Sequence, residues 1–319
     1  MTRRATHRPR SPRKRFATVA AAAAVLALGF SPLASAMPVT EEPTYEVVEK
    51  LDLIFANVDG VELGIDLFLP EGVEQPPVMV FMHGGGWRAG SRKNHLFKWL
   101  PEHGVALASI DYRLSQEATF PAQIHDCKAA VRHLRANAAA LGIDPDRFVT
   151  AGTSAGGTLA FLTAVANQDP ALEGNVGDHD DVSSAVQGVI NYFGAMDFHE
   201  RRKLQPGKTD HPKGPVTQLL GGPVAELGTL AKQASPTAHV DPTDPPLLIY
   251  HGLLDRTVLP RQAILLYRAY HAHGLPVEIR LDPDVGHKTS PFIQGEHRAA
   301  LLAFLNGVFD DAPAENSAE

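Results

Sequence analysis

Cysteine is nearly absent: Cys127 is the only one in 319 residues. A single thiol excludes an internal disulfide and a cysteine-rich zinc site. Cys127 sits in a helix-prone run, which makes it a buried structural thiol. Basic charge is also scarce once the N-terminus is set apart. Seven of the 29 Lys/Arg (Arg3, Arg4, Arg8, Arg10, Arg13, Lys14, Arg15) fall in the first 36 residues, which hold no acid; the remaining 22 face all 36 Asp/Glu, a formal charge of −14. A chain this acidic lacks the basic surface that nucleic acid or an anionic membrane requires, so neither is an expected partner. Apolar runs of spanning length are missing beyond residue 36, and no membrane insertion is expected there. No internal repeat or long low-complexity segment occurs. At 44% hydrophobic residues, the chain can bury a sizeable core. It fits one large domain over residues 37–311 better than two.

The basic start, the apolar run over residues 16–30 and Ala34-Ser35-Ala36 predict a signal peptide over residues 1–36, cleaved after Ala36. A membrane anchor is the competing reading, but the run is short and alanine-rich and a small-x-small site follows it. Arg13-Lys14-Arg15-Phe16 is an imperfect twin-arginine signal, and Sec export is equally open. The expected location is therefore periplasmic or extracellular. Residues 312–319 read as a flexible tail.

Between these ends the pattern alternates. β-prone runs over 46–58 and 61–69 flank Asp59-Gly60, the dipeptide of a tight hairpin. The run 77–82 is short, apolar and bounded by prolines and glycines, as suits a strand buried on both faces. Helices are predicted over 94–103, 121–140, 158–166, 259–273 and 292–309, and strands over 105–110, 147–151, 186–193, 246–250 and 277–281. This order implies an α/β fold with a mostly parallel central sheet flanked by helices and opened by an antiparallel N-terminal hairpin. Residues 197–244, rich in Pro, Gly and His, read as irregular and as a candidate cap segment, small or partial.

Four strand-end motifs carry the chemistry. Gly152-Thr153-Ser154-Ala155-Gly156 joins a β-prone run to a small-residue helix. This is a nucleophile elbow, in which the flanking glycines leave room where strand and helix pass closely and Ser154 holds a strained backbone. Taken alone, a Gly-Ser loop would explain it. His83-Gly84-Gly85-Gly86-Trp87 leaves the buried strand, and its consecutive glycines can aim backbone N–H groups at an oxyanion. Asp255 follows the strand that ends in His251-Gly252, and His287 follows the last strand in Asp284-Val285-Gly286-His287. The order Ser154, Asp255, His287 is that of α/β-hydrolases.

The sequence resembles the α/β-hydrolase superfamily, and within it the hormone-sensitive-lipase-like esterases and the secreted bacterial feruloyl and acetylxylan esterases. The resemblance runs over residues 58–309. It takes in Ser109-Ile110-Asp111-Tyr112-Arg113-Leu114, Phe120-Pro121-Ala122-Gln123, Gly142-Ile143-Asp144-Pro145-Asp146-Arg147 and Ala234-Ser235-Pro236. It implies the α/β-hydrolase fold, a serine esterase without cofactor or metal, and a triad of Ser154, Asp255 and His287. It also implies an oxyanion hole from the N–H groups of Gly85, Gly86 and Ala155. Thr153 stands where the lipase branch commonly has an acid. Residues 37–45 are short for that branch's N-terminal cap, which suggests a more open site.

Trp87 is expected either to wall the acyl pocket or simply to pack the loop, and Asp111 and Arg113 are expected to pair beneath the site. Asp178-His179-Asp180-Asp181 resembles a metal cluster but reads as a solvated acidic turn, since it lacks the spaced ligands of a calcium loop. His125 and His133 stand two helical turns apart, too far for one ion. The expected activity is hydrolysis of short acyl esters, acetyl or feruloyl, on a small molecule or a polysaccharide. A serine peptidase or amidase, or a non-catalytic binding protein of the same fold, are the alternatives.

Overall fold

The five residues Val78–Met82 show how the core is divided. All five are buried, yet Val78, Val80 and Met82 join one apolar cluster and Met79 and Phe81 another. Successive side chains of a strand point to opposite faces, so such a run belongs to a sheet covered on both sides. The computed structural model describes residues 1–2, 40 and 42–310. The expected signal peptide, apart from its first two residues, and the expected tail over 312–319 lie outside the described residues.

The sheet has eight strands: β1 (Val47–Val58), β2 (Val61–Pro70), β3 (Val78–Met82), β4 (Ala106–Ile110), β5 (Phe148–Thr153), β6 (Gly188–Tyr192), β7 (Leu247–Gly252) and β8 (Val277–Asp282). Their spatial order is β1-β2-β4-β3-β5-β6-β7-β8. β1 and β2 form the antiparallel hairpin, β2 pairs antiparallel with β4, and every later pairing is parallel. The helices are α1 (Ala122–Ala136), α2 (Ala138–Leu141), α3 (Ala155–Val165), α4 (Pro170–Glu173), α5 (Phe198–Leu204), α6 (Pro206–Thr209), α7 (Pro215–Leu220), α8 (Gly228–Gln233), α9 (Arg261–Ala272) and α10 (Gly295–Asp310). Ile124 of α1, Leu159 of α3 and Leu266 of α9 pack on one sheet face. Leu301 and Leu305 of α10 pack on the other. Cys127 is buried on the first face, unpaired. Among the described residues no helix is long and apolar enough to cross a membrane.

Three expected helices differ. Residues 94–103 form turns that end in a 3-10 helix, Leu100–His103. Their bonds span three residues, as in Lys98 N to His95 O (3.2 Å) and Leu100 N to Phe97 O (2.8 Å). Pro101 has no N–H for an α-helical bond and restricts the residue before it. The helix expected over 121–140 breaks at Asn137, whose Nδ2 donates to the His133 carbonyl (2.9 Å) and so competes for the helix's own acceptor. The elbow helix begins at Ala155 rather than Thr158. Residues 197–244, expected to be irregular, hold the four short helices α5 to α8.

The strand order turns at β3. The chain leaves β3 towards β4 on one side and returns to β5 on the other, so the loops after β3 and β5 diverge above adjacent strands. In open parallel sheets the crevice at such a reversal, outside the carboxyl ends, is where ligands bind.

Candidate active site

Register brings the strand ends together. Met82 pairs with Gly152, Thr153 with Tyr192, Tyr192 with Tyr250, and Gly252 with Asp282. The loops after β3, β5, β6, β7 and β8 therefore leave the sheet side by side.

Ser154 caps α3 with φ 54° and ψ −114°, a conformation L-residues rarely adopt. Close approach holds it there. A Cβ on Gly152 would lie 2.1 Å from the Gly156 carbonyl oxygen, and one on Gly156 would lie 2.0 Å from that of Met82. The first glycine thus admits the helix, and the second admits the end of β3. The Ser154 N–H donates to Tyr192 O at 2.9 Å, tying the turn to the neighbouring strand.

Ser154 Oγ lies 2.8 Å from His287 Nε2, and His287 Nδ1 lies 2.6 Å from Asp255 Oδ2. Asp255 is 2% exposed. Its Oδ1 accepts from the N–H groups of Thr257 (2.8 Å) and Val258 (3.0 Å). Burial alone would raise the pKa of Asp255. Hydrogen bonds from His251 and His287, the His287 charge and the Val258 N–H outweigh it and hold the carboxyl well below the usual carboxylate range. The Phe193 ring packs on the His287 ring at 4.6 Å between centroids. This geometry suits proton transfer from a serine hydroxyl to an imidazole whose tautomer is fixed by a carboxylate.

The glycine loop sits beside the serine. Gly85 has φ 121°, and a Cβ there would meet the Ala89 carbonyl oxygen at 1.9 Å, so no other residue fits this turn. His83 anchors its base: Nδ1 lies 2.7 Å from Gly84 O, the ring stacks on Tyr112, and the Tyr112 hydroxyl donates to His83 O at 2.9 Å. Burial pushes the His83 pKa below the ordinary histidine value, which keeps the ring neutral. Gly85, Gly86, Trp87, Ser154, Ala155 and His287 all line one cavity of about 530 Å³. Trp87 is 2% exposed and meets Phe198 of α5 edge to face at 5.8 Å.

Asp111 and Arg113 do not pair, contrary to expectation. They follow β4, and each is taken by a partner from another part of the chain. Asp111 accepts from the Arg92 side chain and from the Arg92 N–H (2.8 Å), while Arg92 also reaches Asp66 (3.2 Å) and Asp52 (2.5 Å). Arg113 clamps Asp126 of α1 through Nε (2.8 Å) and Nη2 (2.7 Å), its own N–H adding a third bond at 2.9 Å. The first cluster pins the segment that follows the glycine loop; the second pins α1. Among the described residues no group of three or more His, Cys, Asp or Glu is placed to hold a metal ion. His179 lies instead against the ring of His133 (5.7 Å) and Asn137 Nδ2 (3.3 Å), and His125 bonds Ala171 O at 2.9 Å.

Some residues of the site carry no motif. His251, fully buried at the end of β7, places Nε2 2.9 Å from Val258 O and 3.3 Å from Asp255 Oδ2. Its position four residues before Asp255 was the only available signal. Arg201 and Lys208, from the segment 197–244, also line the cavity. Arg88 Nη1 ties the glycine loop to that segment through Lys213 O (3.0 Å) and Gln218 Oε1 (3.1 Å).

Sheet, elbow, glycine loop and the Ser154, His287, Asp255 relay together define an α/β-hydrolase. More narrowly, the chain belongs to the family described as BD-FAE, whose profile matches residues 65–270. It is similar to the esterase LipC of Mycobacterium tuberculosis, with 30% identity over 59% of this chain and 46% of that protein. The chain spans about half the length of the curated relatives it matches. Among solved structures, a truncated carbohydrate esterase from gut microbiota superposes with a TM-score of 0.73 at 26% identity, over 85% of this chain and 99% of that one. The thermophilic esterase Est2 of Thermogutta terrifontis, solved with propionate bound, gives 0.65 at 26% identity, over 87% and 98%.

Proposed function

We propose that the protein is an exported serine carboxylic ester hydrolase for short acyl esters, acetyl or feruloyl, including those carried on plant polysaccharide. The observation that carries this reading is the relay from Ser154 Oγ through His287 to Asp255, at 2.8 and 2.6 Å, beside a glycine loop. In this reading Ser154 attacks the ester carbonyl while His287 takes its proton. The tetrahedral oxyanion forms among the N–H groups of Gly85, Gly86 and Ala155, each contributing roughly 10²- to 10³-fold in rate. His287 then protonates the leaving alcohol, and water hydrolyses the acyl-serine by the same route in reverse. Asp255, ionised throughout, fixes the imidazole tautomer. Likeness to a carbohydrate esterase and to an esterase holding propionate supports a short acyl group and a carbohydrate alcohol. The N-terminal leader supports export.

A fluorophosphonate probe should label the wild type and not Ser154→Ala, and the variant should lose ester turnover while keeping its fold. Wild-type turnover by Ser154→Ala would overturn the hydrolase assignment. Acetyl, butyryl, octanoyl and feruloyl esters and acetylated xylan should then be compared. An octanoyl preference with no acetate released from xylan would remove the short-acyl polysaccharide substrate.

A further inference from the structure

Among the described residues Arg201 makes no ion pair. It lies on α5, whose first turn is held on three sides: Gln262 Oε1 accepts from Met196 N (2.7 Å) and Asp197 N (2.8 Å), Ser235 Oγ from Phe198 N (2.9 Å), and Asp197 Oδ1 from Glu200 N (2.9 Å). Arg201 is 3% exposed and lines the same cavity as Ser154 and His287. Its one side-chain hydrogen bond among the described residues runs from Nη2 to Thr257 O (3.1 Å); Nε is buried with no partner. Buried charges are as a rule paired, because an isolated one forfeits its hydration without return.

The Asp255 charge acts on Arg201, but that carboxylate is already engaged. Both its oxygens are taken, Oδ1 by two backbone N–H groups and Oδ2 by His287 and His251, and it makes no ion pair with Arg201. Burial lowers the Arg201 pKa to about 10, so the guanidinium is still charged at neutral pH. The other Lys and Arg of the lining add the same sign. Arg88 and Lys208 contribute, no aspartate or glutamate does, and Lys208 has no ion pair among the described residues. In a chain with 36 acids against 29 bases overall, a cavity whose Asp, Glu, Lys and Arg lining residues are all cations is a local reversal that draws anions inward.

We infer that Arg201 is a specificity residue that pairs with a carboxylate on the substrate, so that the preferred ester carries a free acid group on its acyl or its alcohol part. This rests on the ester-hydrolase reading and narrows its substrate class. A guanidinium with unfilled donors matches a planar carboxylate in a fixed fork, whereas neutral hydroxyls would leave its charge uncompensated.

Two matched pairs test it: 4-nitrophenyl hemiglutarate against 4-nitrophenyl valerate for the acyl side, and O-acetylated glucuronic acid against O-acetylated glucose for the alcohol side. The wild type should favour the anionic member of one pair by about tenfold or more in kcat/KM, mainly through KM, with the preference shrinking as salt rises. Arg201→Gln should bring that ratio to within about twofold of unity, and Arg201→Lys should keep part of it. Turnover of both members of both pairs at equal rates, or a preference that survives in Arg201→Gln, would overturn the inference and leave the hydrolase reading standing. Absence of any turnover together with absence of fluorophosphonate labelling would overturn both. Should Arg201→Gln not fold, competitive inhibition of the wild type by glutarate and acetate against glutaramide and acetamide decides: equal inhibition by acid and amide overturns the inference.

Discussion

His251 shares the carboxylate of Asp255 with His287. Its Nε2 lies 3.3 Å from the same Oδ2 that takes His287 Nδ1 at 2.6 Å, and it also reaches Val258 O at 2.9 Å. His251 is fully buried, so its donor holds both the carboxylate and the turn that carries it. It does not line the cavity, and its role is that of a positioning residue.

His251→Phe should therefore lower kcat about tenfold with little change in KM. A hydrogen bond to a charged group contributes about 1.5 kcal/mol, and that is roughly a factor of ten in rate. Steady-state kinetics on one ester checks this, with circular dichroism to confirm the fold. An unchanged kcat would reduce His251 to packing.

Asp255 links the site to acid stability. Its folded pKa is depressed, so the folded state binds the proton more weakly than the unfolded chain does. The stability it contributes is fully present above the unfolded value of about 4 and is lost as pH falls below that towards the folded value. Urea unfolding of wild type and Asp255→Asn at pH 7 and at pH 3 should show the wild-type advantage shrinking at the lower pH. A gap that widens in acid would reverse the sign argued here. Asp255→Asn should also lose about 10⁴ in kcat, because the wrong imidazole tautomer is then favoured.

Trp87 forms part of the cavity wall and packs on Phe198. Trp87→Leu should raise the octanoyl-to-acetyl ratio of kcat/KM about tenfold, since a few methylenes newly admitted to an apolar pocket contribute about 1–3 kcal/mol. It should also cost on the order of 2 kcal/mol in stability from the space left in the core. Chain-length profiles and denaturant curves on the same preparation separate the two effects. A ratio that stays fixed while stability falls would mean that the ring only packs the loop.

Much of this arrangement is legible without coordinates, because it follows short-range rules. A run such as Val78–Met82 reads as a strand covered twice, and glycines spaced around Ser154 announce a turn with no room for side chains. Ser154, Asp255, His287, Gly85, Gly86, Ala155 and Trp87 are readable as strand-end motifs because parallel register puts strand ends at one edge. Partner choice is less legible. Asp111 and Arg113 are neighbours but two in sequence, yet each pairs with a residue that only tertiary packing delivers, Arg92 and Asp126. Arg201 and His251 fail to stand out for the same reason: a buried arginine or histidine gains meaning from what it lacks or shares, and sequence spacing records neither. Residues 94–103 miss their helix because one proline outweighs the surrounding propensity.

The position of β8 has a further consequence for how the protein comes to life. It is an edge strand, partly exposed along its length and paired only with β7, and its loop supplies His287, 133 positions after Ser154. The scaffold around Ser154 belongs to the middle of the sheet, but its partner His287 comes from the margin. A molecule in which the middle strands have formed but β8 has not docked would lack the contact between Ser154 and His287. Under the ester-hydrolase reading, fraying of that margin would silence the molecule while the middle of the sheet stays folded.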